Sequence, residues 1–178
     1  MQSKIHNLPL QGAALIQIQA FQDERGGFAS FWEQDVLVNH GIQFVPHSAH
    51  HSYNRGRFTM RALHFQKEPH AQAKLITCVS GAVWDVIVDL RPSSPTYRRW
   101  TGTELRAGDG QSIFAPRGFA HGFVTLVNDS TVAYLIEGEY APDSSAVIRW
   151  NDPSIAIEWP TTNPFLSDRD RAAPFLDS

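Results

Sequence analysis

Apolar residues recur with a period of two along this chain, most clearly between residues 82 and 90. Ala82, Trp84, Val86, Val88 and Leu90 hold one phase, and Val83, Asp85, Ile87 and Asp89 hold the other. Neighbouring side chains of an extended strand point to opposite faces, so the pattern predicts a strand with one wholly apolar face. Arg61–Gln66, Lys74–Val79, Ser112–Ala115, Phe119–Leu126 and Thr131–Glu137 predict further short strands. Turn-forming clusters separate them: Asn54-Arg55-Gly56, Ser80-Gly81, Pro92-Ser93-Ser94-Pro95, Ala107-Gly108-Asp109-Gly110, Pro116-Arg117-Gly118 and Asn128-Asp129-Ser130. Many short strands between regular turns close into a sandwich or barrel. Helical signal is confined to Trp32–His40, stopping at Gly41, and to a capped turn at Ser167–Asp170 before Pro174. The expected fold is all-β, a jelly-roll barrel with a few short helices.

Size and composition narrow the function classes. The 178 residues fit one domain spanning 1–178, and an apolar share of 42% supplies a core. The net charge is −3 and Lys and Arg are not clustered, so no nucleic-acid footprint is expected. An anionic small ligand stays compatible with that balance. One cysteine, Cys78, excludes a disulfide framework within the chain; inside the apolar run Leu75–Val79 it reads as a small core residue. Met1–Leu10 has no continuous apolar stretch and predicts no signal peptide. No run approaches the ~20 apolar residues of a membrane span. The expectation is a cytoplasmic protein without membrane association.

Four groups of residues carry candidate chemistry. In Arg61–Gln66, alternation puts Ala62, His64 and Gln66 on one face; Gln72 and Lys74 share a face in the next segment. If the two strands pair, His64 and Lys74 point into one barrel, a costly arrangement unless an anion binds. A satisfied polar pair at the barrel rim fits the same spacing. His121 follows the tight turn Pro116-Arg117-Gly118, and its small neighbours Ala120 and Gly122 allow close approach. It reads equally as a ligand-facing histidine or as a buried one bonded to backbone. Tyr134 alternates with Val132 and Ile136, and Tyr140 falls in the same phase if the strand continues. Asp152, in Asn151-Asp152-Pro153, reads as a turn residue. Asp170 stands three after Ser167, where spacing favours a helix cap.

These segments resemble, in order and spacing, the dTDP-4-dehydrorhamnose 3,5-epimerase family. The landmarks are Phe21–Phe28, Arg61–Gln66, Gln72–Leu75, Asp85–Arg91 with Ser94–Tyr97, and Pro116–Phe123. Tyr140-Ala141-Pro142, Trp150–Pro153, Ile157–Pro160 and Leu166–Asp170 follow. The resemblance runs from Phe21 to about Asp170, most of the chain. It implies a dimeric, cupin-type jelly-roll barrel that epimerises C3 and C5 of a dTDP-4-keto-6-deoxyhexose without metal or cofactor. It also implies roles: His64 as base, Asp170 as the carboxylate holding it, Tyr134 as acid on the opposite sugar face, and Lys74 beside the ketone oxygen. His121 is implied in the pocket, Arg25 and Arg61 on the diphosphate, and Tyr140 and Arg169 near the sugar nucleotide. Phe21 and Gln66 complete the expected substrate contacts. The chemistry needs such groups. Removing a proton beside a ketone gives an enolate, which calls for a base working near neutral pH and a donor at the oxygen. A carboxylate would fix the imidazole tautomer and stabilise the imidazolium. Inversion needs a proton returned from the other face.

The chain departs from the family pattern at several contacts. Ala62 replaces the usual glycine of the base strand, putting a methyl on the face of His64. The segment Gln-x-Asn-x-Ser reads Ser48, His50 and Ser52. Ser30 and Ser145 stand where glutamates are usual. These changes leave the proton-transfer groups in place and bear on the nucleotide or sugar carrier; inversion at one carbon or at two fits the motifs equally. Two other function classes follow from the same residues. A metal-dependent cupin would use Pro116-x-Gly118-x-x-His121 with a His-x-His segment, which here reads His64-x-Gln66. A non-catalytic sugar-nucleotide binder would keep the pocket without proton exchange. His47, His50 and His51 read as solvated or ligand-facing loop histidines rather than a metal tract. Ala14–Ile18 is the candidate segment for exchange between subunits.

Overall fold

The computed structural model describes residues 3–177. The chain runs through β1 (Ser3–Asn7), β2 (Ala14–Ile18), β3 (Phe21–Asp23), β4 (Gly26–Phe28), α1 (Gln34–Asn39), β5 (Ser48–Asn54) and β6 (Met60–Gln66). It continues through β7 (Ala73–Ser80), β8 (Ala82–Asp89), β9 (Trp100–Arg106), β10 (Gln111–Ala115), β11 (Phe119–Thr125), β12 (Ser130–Glu137), β13 (Ser145–Val147) and α2 (Asp168–Arg171). One sheet has the order β1-β2-β10-β7-β12-β5 and the other β13-β6-β11-β8-β9; β3 and β4 form a separate hairpin. Strands β5 to β12 are wound as a jelly roll. The first of the eight pairs with the last, the second with the seventh, and so inward to β8 with β9. The alternation of the chain at these segments thus ends in an all-β, cupin-like barrel with a few short helices, as expected. No helix among the described residues is long and apolar enough to cross a membrane.

Three apolar layers position everything else. Between the sheets pack Ile76, Cys78, Val83, Ile87, Leu105, Ile113, Phe119, Phe123 and Val132. Outside the five-stranded sheet, Met60, Leu63, Val86, Val88 and Val124 lie under the C-terminal coil through Ile148, Ile155 and Leu166. Outside the six-stranded sheet, Ile16, Leu75 and Phe114 are covered by Leu37 of α1 and by Phe44. Strand β8 is therefore buried on both faces. Its wholly apolar face packs outward under the C-terminal coil, while the face carrying Asp85 and Asp89 turns inward. Asp89 is satisfied there by Arg91, Ser94 and Thr96, whose hydrogen bonds outweigh the cost of burial and hold its carboxyl well below the usual range. Asp152 is the turn residue expected, accepting from Ser154 and from the Leu176 amide.

Two expectations from local pattern need correction. Strands β6 and β7 do not pair; they belong to opposite sheets, and His64 and Lys74 meet across the barrel interior. Strand β6 also changes phase. His121 pairs with His64 and Phe123 with Arg61, so Ala62 and Leu63 together oppose the single residue Gly122, a β-bulge. Both bulged residues turn outward into the layer under the C-terminal coil. The methyl of Ala62 is therefore not on the face of His64. What closely approaches Gly122 is Ala62 itself: a Cβ at Gly122 would lie 2.5 Å from that of Ala62. The bulge instead gives Arg61 the same inward face as His64. Strand β2 pairs with β1 and β10.

Candidate functional site

One end of the barrel interior is polar. An inner cavity of about 160 Å³ is lined by Arg61, His64, Lys74, His121, Phe123, Tyr134 and Ile136. It shares His64, Lys74 and Ile136 with an outer cleft of about 400 Å³ that adds Ser48, His50, Phe65, Gln66, Gln72, Tyr140, Ser145 and Arg169. Arg61, His64 and His121 come from the five-stranded sheet; Lys74 and Tyr134 come from the six-stranded sheet. His64 and Tyr134 therefore stand on opposite walls of one space.

The His64 wall is built by a helix too short to be stable alone. Ser167 caps α2 by accepting from the Asp170 amide at 3.2 Å. The Asp170 carboxylate does not fold back on the cap; its Oδ1 lies 2.8 Å from His64 Nε2. The carboxylate is 4% exposed and the imidazole 39%, so one partner is fixed in protein while the other faces the cleft. With the Nε2 proton donated to Asp170, the lone pair lies on Nδ1. The backbone amide of Asp170 completes the cap while its side chain serves the site, so the carboxylate does not close the cap as the Ser167–Asp170 spacing alone suggested.

The opposite wall carries a phenol. Tyr134 Oη shares a hydrogen bond with Ser52 Oγ at 3.0 Å, and its ring meets His121 edge-on at 5.9 Å. Burial pushes its ionisation well above the ordinary value, while Ser52 and the charge of Arg61 oppose the shift. Lys74 donates to the His64 carbonyl at 3.3 Å. Burial lowers its ammonium from the ordinary 10.5 to about 8, against the pull of Asp85.

A second histidine–carboxylate pair lies deeper. His121 Nε2 is 2.8 Å from Asp85 Oδ2, with both side chains almost fully buried. The partner of His121 is thus a carboxylate rather than the backbone. Burial raises the Asp85 carboxyl, opposed by His121 and Lys74, and Asp85 Oδ1 has no protein partner. Sequence reasoning missed Asp85 as a site residue. The available signal was a carboxylate in the middle of a strand apolar except for Asp89 at its end, where a charge needs a partner.

The remaining candidates divide. Tyr140, 70% exposed, forms the rim of the outer cleft. Arg169 lies beside it and donates to Ser145 Oγ at 3.1 Å. Ser48 and His50 line the cleft and bond to each other. Gln66 is in the wall, but its amide is engaged by the backbone of His70, Glu139 and Ala141, so it holds the Tyr140 loop. Phe21 and Arg25 are not brought to this cavity. They sit on the exposed β3–β4 hairpin, where Arg25 pairs with Asp23, and line a separate hollow made of hairpin residues. Ser30 lines a groove beneath that hairpin. Among the described residues, no three His, Cys, Asp or Glu side chains converge as metal ligands; His64 and His121 each face their own carboxylate.

A braced imidazole, a cation and a facing phenol can take a proton from one side of a carbon and return one from the other. The chain's relatives are epimerases by name. The family model described as dTDP-4-dehydrorhamnose 3,5-epimerase matches residues 7–178. The dTDP-4-dehydrorhamnose 3,5-epimerase of Shigella flexneri is 41% identical over 168 residues, 92% of this chain and 91% of the relative. The crystal structure of the enzyme of that name from Bacillus anthracis, with TDP and PPi bound, is 41% identical. It superimposes with a TM-score of 0.94 over 98% of this chain and 100% of that one. A 3'-monoepimerase from Streptomyces bikiniensis in complex with dTDP-quinovose is 32% identical, with a TM-score of 0.88 over 97% and 87% of the two chains. On this agreement of sequence and fold, the chain belongs to the dTDP-4-dehydrorhamnose 3,5-epimerase family and is an isomerase.

Proposed function

We propose that the chain epimerises C3, C5 or both of a dTDP-linked 4-keto-6-deoxyhexose, with His64 as base and Tyr134 as acid. The observation that carries this reading is the placement of the Asp170-braced imidazole and the phenol on opposite walls of one cavity. Relatives whose structures hold TDP or a dTDP-sugar support the nucleotide part. Nδ1 of His64 takes the proton from the carbon beside the ketone, and Asp170 stabilises the imidazolium. The electron pair moves to the ketone oxygen, where Lys74 supplies positive charge; one preorganised donor of this kind is worth about 3–4 kcal/mol. Tyr134 then protonates the same carbon from the other face. Its raised ionisation keeps the phenol protonated beforehand, and Ser52 and Arg61 stabilise the phenolate left behind. Solvent restores both groups to their starting protonation.

The test is incubation with dTDP-4-keto-6-deoxyglucose in deuterium oxide, followed by NMR. Deuterium with inverted configuration is expected at C3, C5 or both, and the labelled positions give the number of carbons worked on. Nucleotide binding without any exchange would instead make the chain a binder.

Lys74 makes the reaction pH-dependent. Its protonated form supplies the charge, so kcat/KM falls as pH rises through about 8. A profile flat to pH 10 would remove Lys74 from this role.

The second part of the proposal is a homodimer. Phe21 and Phe28 stand opposite each other on the β3–β4 hairpin and are 60% and 68% exposed. In the dimer the hairpin reaches the partner's cleft, bringing Phe21 and Arg25 to the nucleotide. Light scattering on the purified protein measures the assembly.

A further inference from the structure

We infer that Asn54 is a positioning residue for anion binding, aiming the Arg61 guanidinium into the cavity; this rests on the reading above that a nucleoside diphosphate occupies it. Asn54 ends the edge strand β5 and is 2% exposed. A buried amide is costly unless each polar atom is bonded. Here Nδ2 donates to two backbone carbonyls, Ser52 O and Ser130 O, both at 3.1 Å. Two facing carbonyls leave one possible orientation of the amide, so Oδ1 must point away from them. It points to Arg61 and accepts from Nε at 2.8 Å.

The anchor is rigid. Ser130 pairs with Asn54 in the β5–β12 register, is fully buried, and is itself tied to Ala82 and Val127. Arg61 begins the bulge of β6 and lines the inner cavity. A guanidinium has five N–H donors; engaging Nε leaves the two-pronged terminal fork, the part that matches phosphate oxygens. Among the described residues, Arg61 makes no ion pair with a carboxylate, so its charge is left for a ligand. A free arginine would lose much side-chain freedom on binding an anion; Asn54 removes part of that freedom in advance.

The test is a double-mutant cycle read by calorimetric titration of dTDP onto the intact protein: wild type, Asn54→Ala, Arg61→Ala and the double variant. Asn54→Ala is expected to weaken dTDP binding about 5- to 20-fold with kcat changed less than about 3-fold. In the Arg61→Ala background the same change is expected to be silent within about twofold. A full effect of Asn54→Ala in that background overturns the inference, as does undiminished binding in a folded Asn54→Ala protein. Thermal melting checks the fold; Asn54→Thr, well suited to a strand end, takes its place in the same cycle if the alanine variant is unfolded. Absence of dTDP binding by the wild type would fail the functional reading itself, an outcome separate from additivity in the cycle.

Discussion

His64→Asn is expected to lower kcat by about 10³-fold, within the range for loss of a general base, while dTDP affinity changes little. The imidazole touches the reacting carbon, not the nucleotide, so the loss belongs in the chemical step. Asp170 sharpens the prediction because two substitutions there fail differently. Asp170→Ala removes the brace and leaves His64 Nε2 facing a small void. Asp170→Asn keeps the shape, yet its amide can donate to Nε2 and stabilise the tautomer protonated on Nδ1. That tautomer has no lone pair toward the cavity. Asp170→Asn is therefore expected to lose at least as much activity as Asp170→Ala, about 10²- to 10³-fold, the pattern expected when a carboxylate fixes a tautomer. The measurement is single-turnover loss of the substrate C–H signal in deuterium oxide. An Asp170→Asn protein retaining a third of wild-type kcat would show that the 2.8 Å contact does not govern the base.

Much of the barrel was legible because strand phase is a local property. Alternation at Ala82–Leu90 and the turn clusters on either side of each strand locate β6 to β8 and β10 to β12 within a residue or two. What local pattern does not contain is which strands face each other and where phase slips. The bulge at Ala62-Leu63 arises because two residues oppose Gly122 across a neighbouring strand, a property of the pair rather than of either segment. It reverses the faces of Ala62 and Arg61 and joins Arg61 to His64. Asp85 escaped notice for a related reason. With β8 buried on both sides, an apolar face does not identify the interior, and the carboxylate face was the one turned inward. Asn54 lay hidden inside a turn signal, where its composition suggested only a loop. The long-range contact His64–Asp170 was reached through resemblance; spacing within Ser167–Asp170 points only to the cap.

Tyr134→Phe is expected to separate proton exchange from inversion. The phenylalanine ring keeps the edge contact with His121, and the lost bond to Ser52 costs about 1 kcal/mol of stability, too little to unfold the barrel. The His64–Asp170 pair is untouched, so the proton still leaves the carbon and the enolate still forms beside Lys74. With no donor on the far wall, the carbon is reprotonated only from the side it left. In deuterium oxide the variant should incorporate label with retained configuration, at a rate within about tenfold of wild type, while inverted product falls about 10²- to 10³-fold. NMR of recovered substrate and product measures both quantities in one sample. Inversion at the wild-type rate would place the acid elsewhere in the cavity. Equal collapse of exchange and inversion would mean that the phenol is needed to form the enolate, and the division of labour between the two walls would then be wrong.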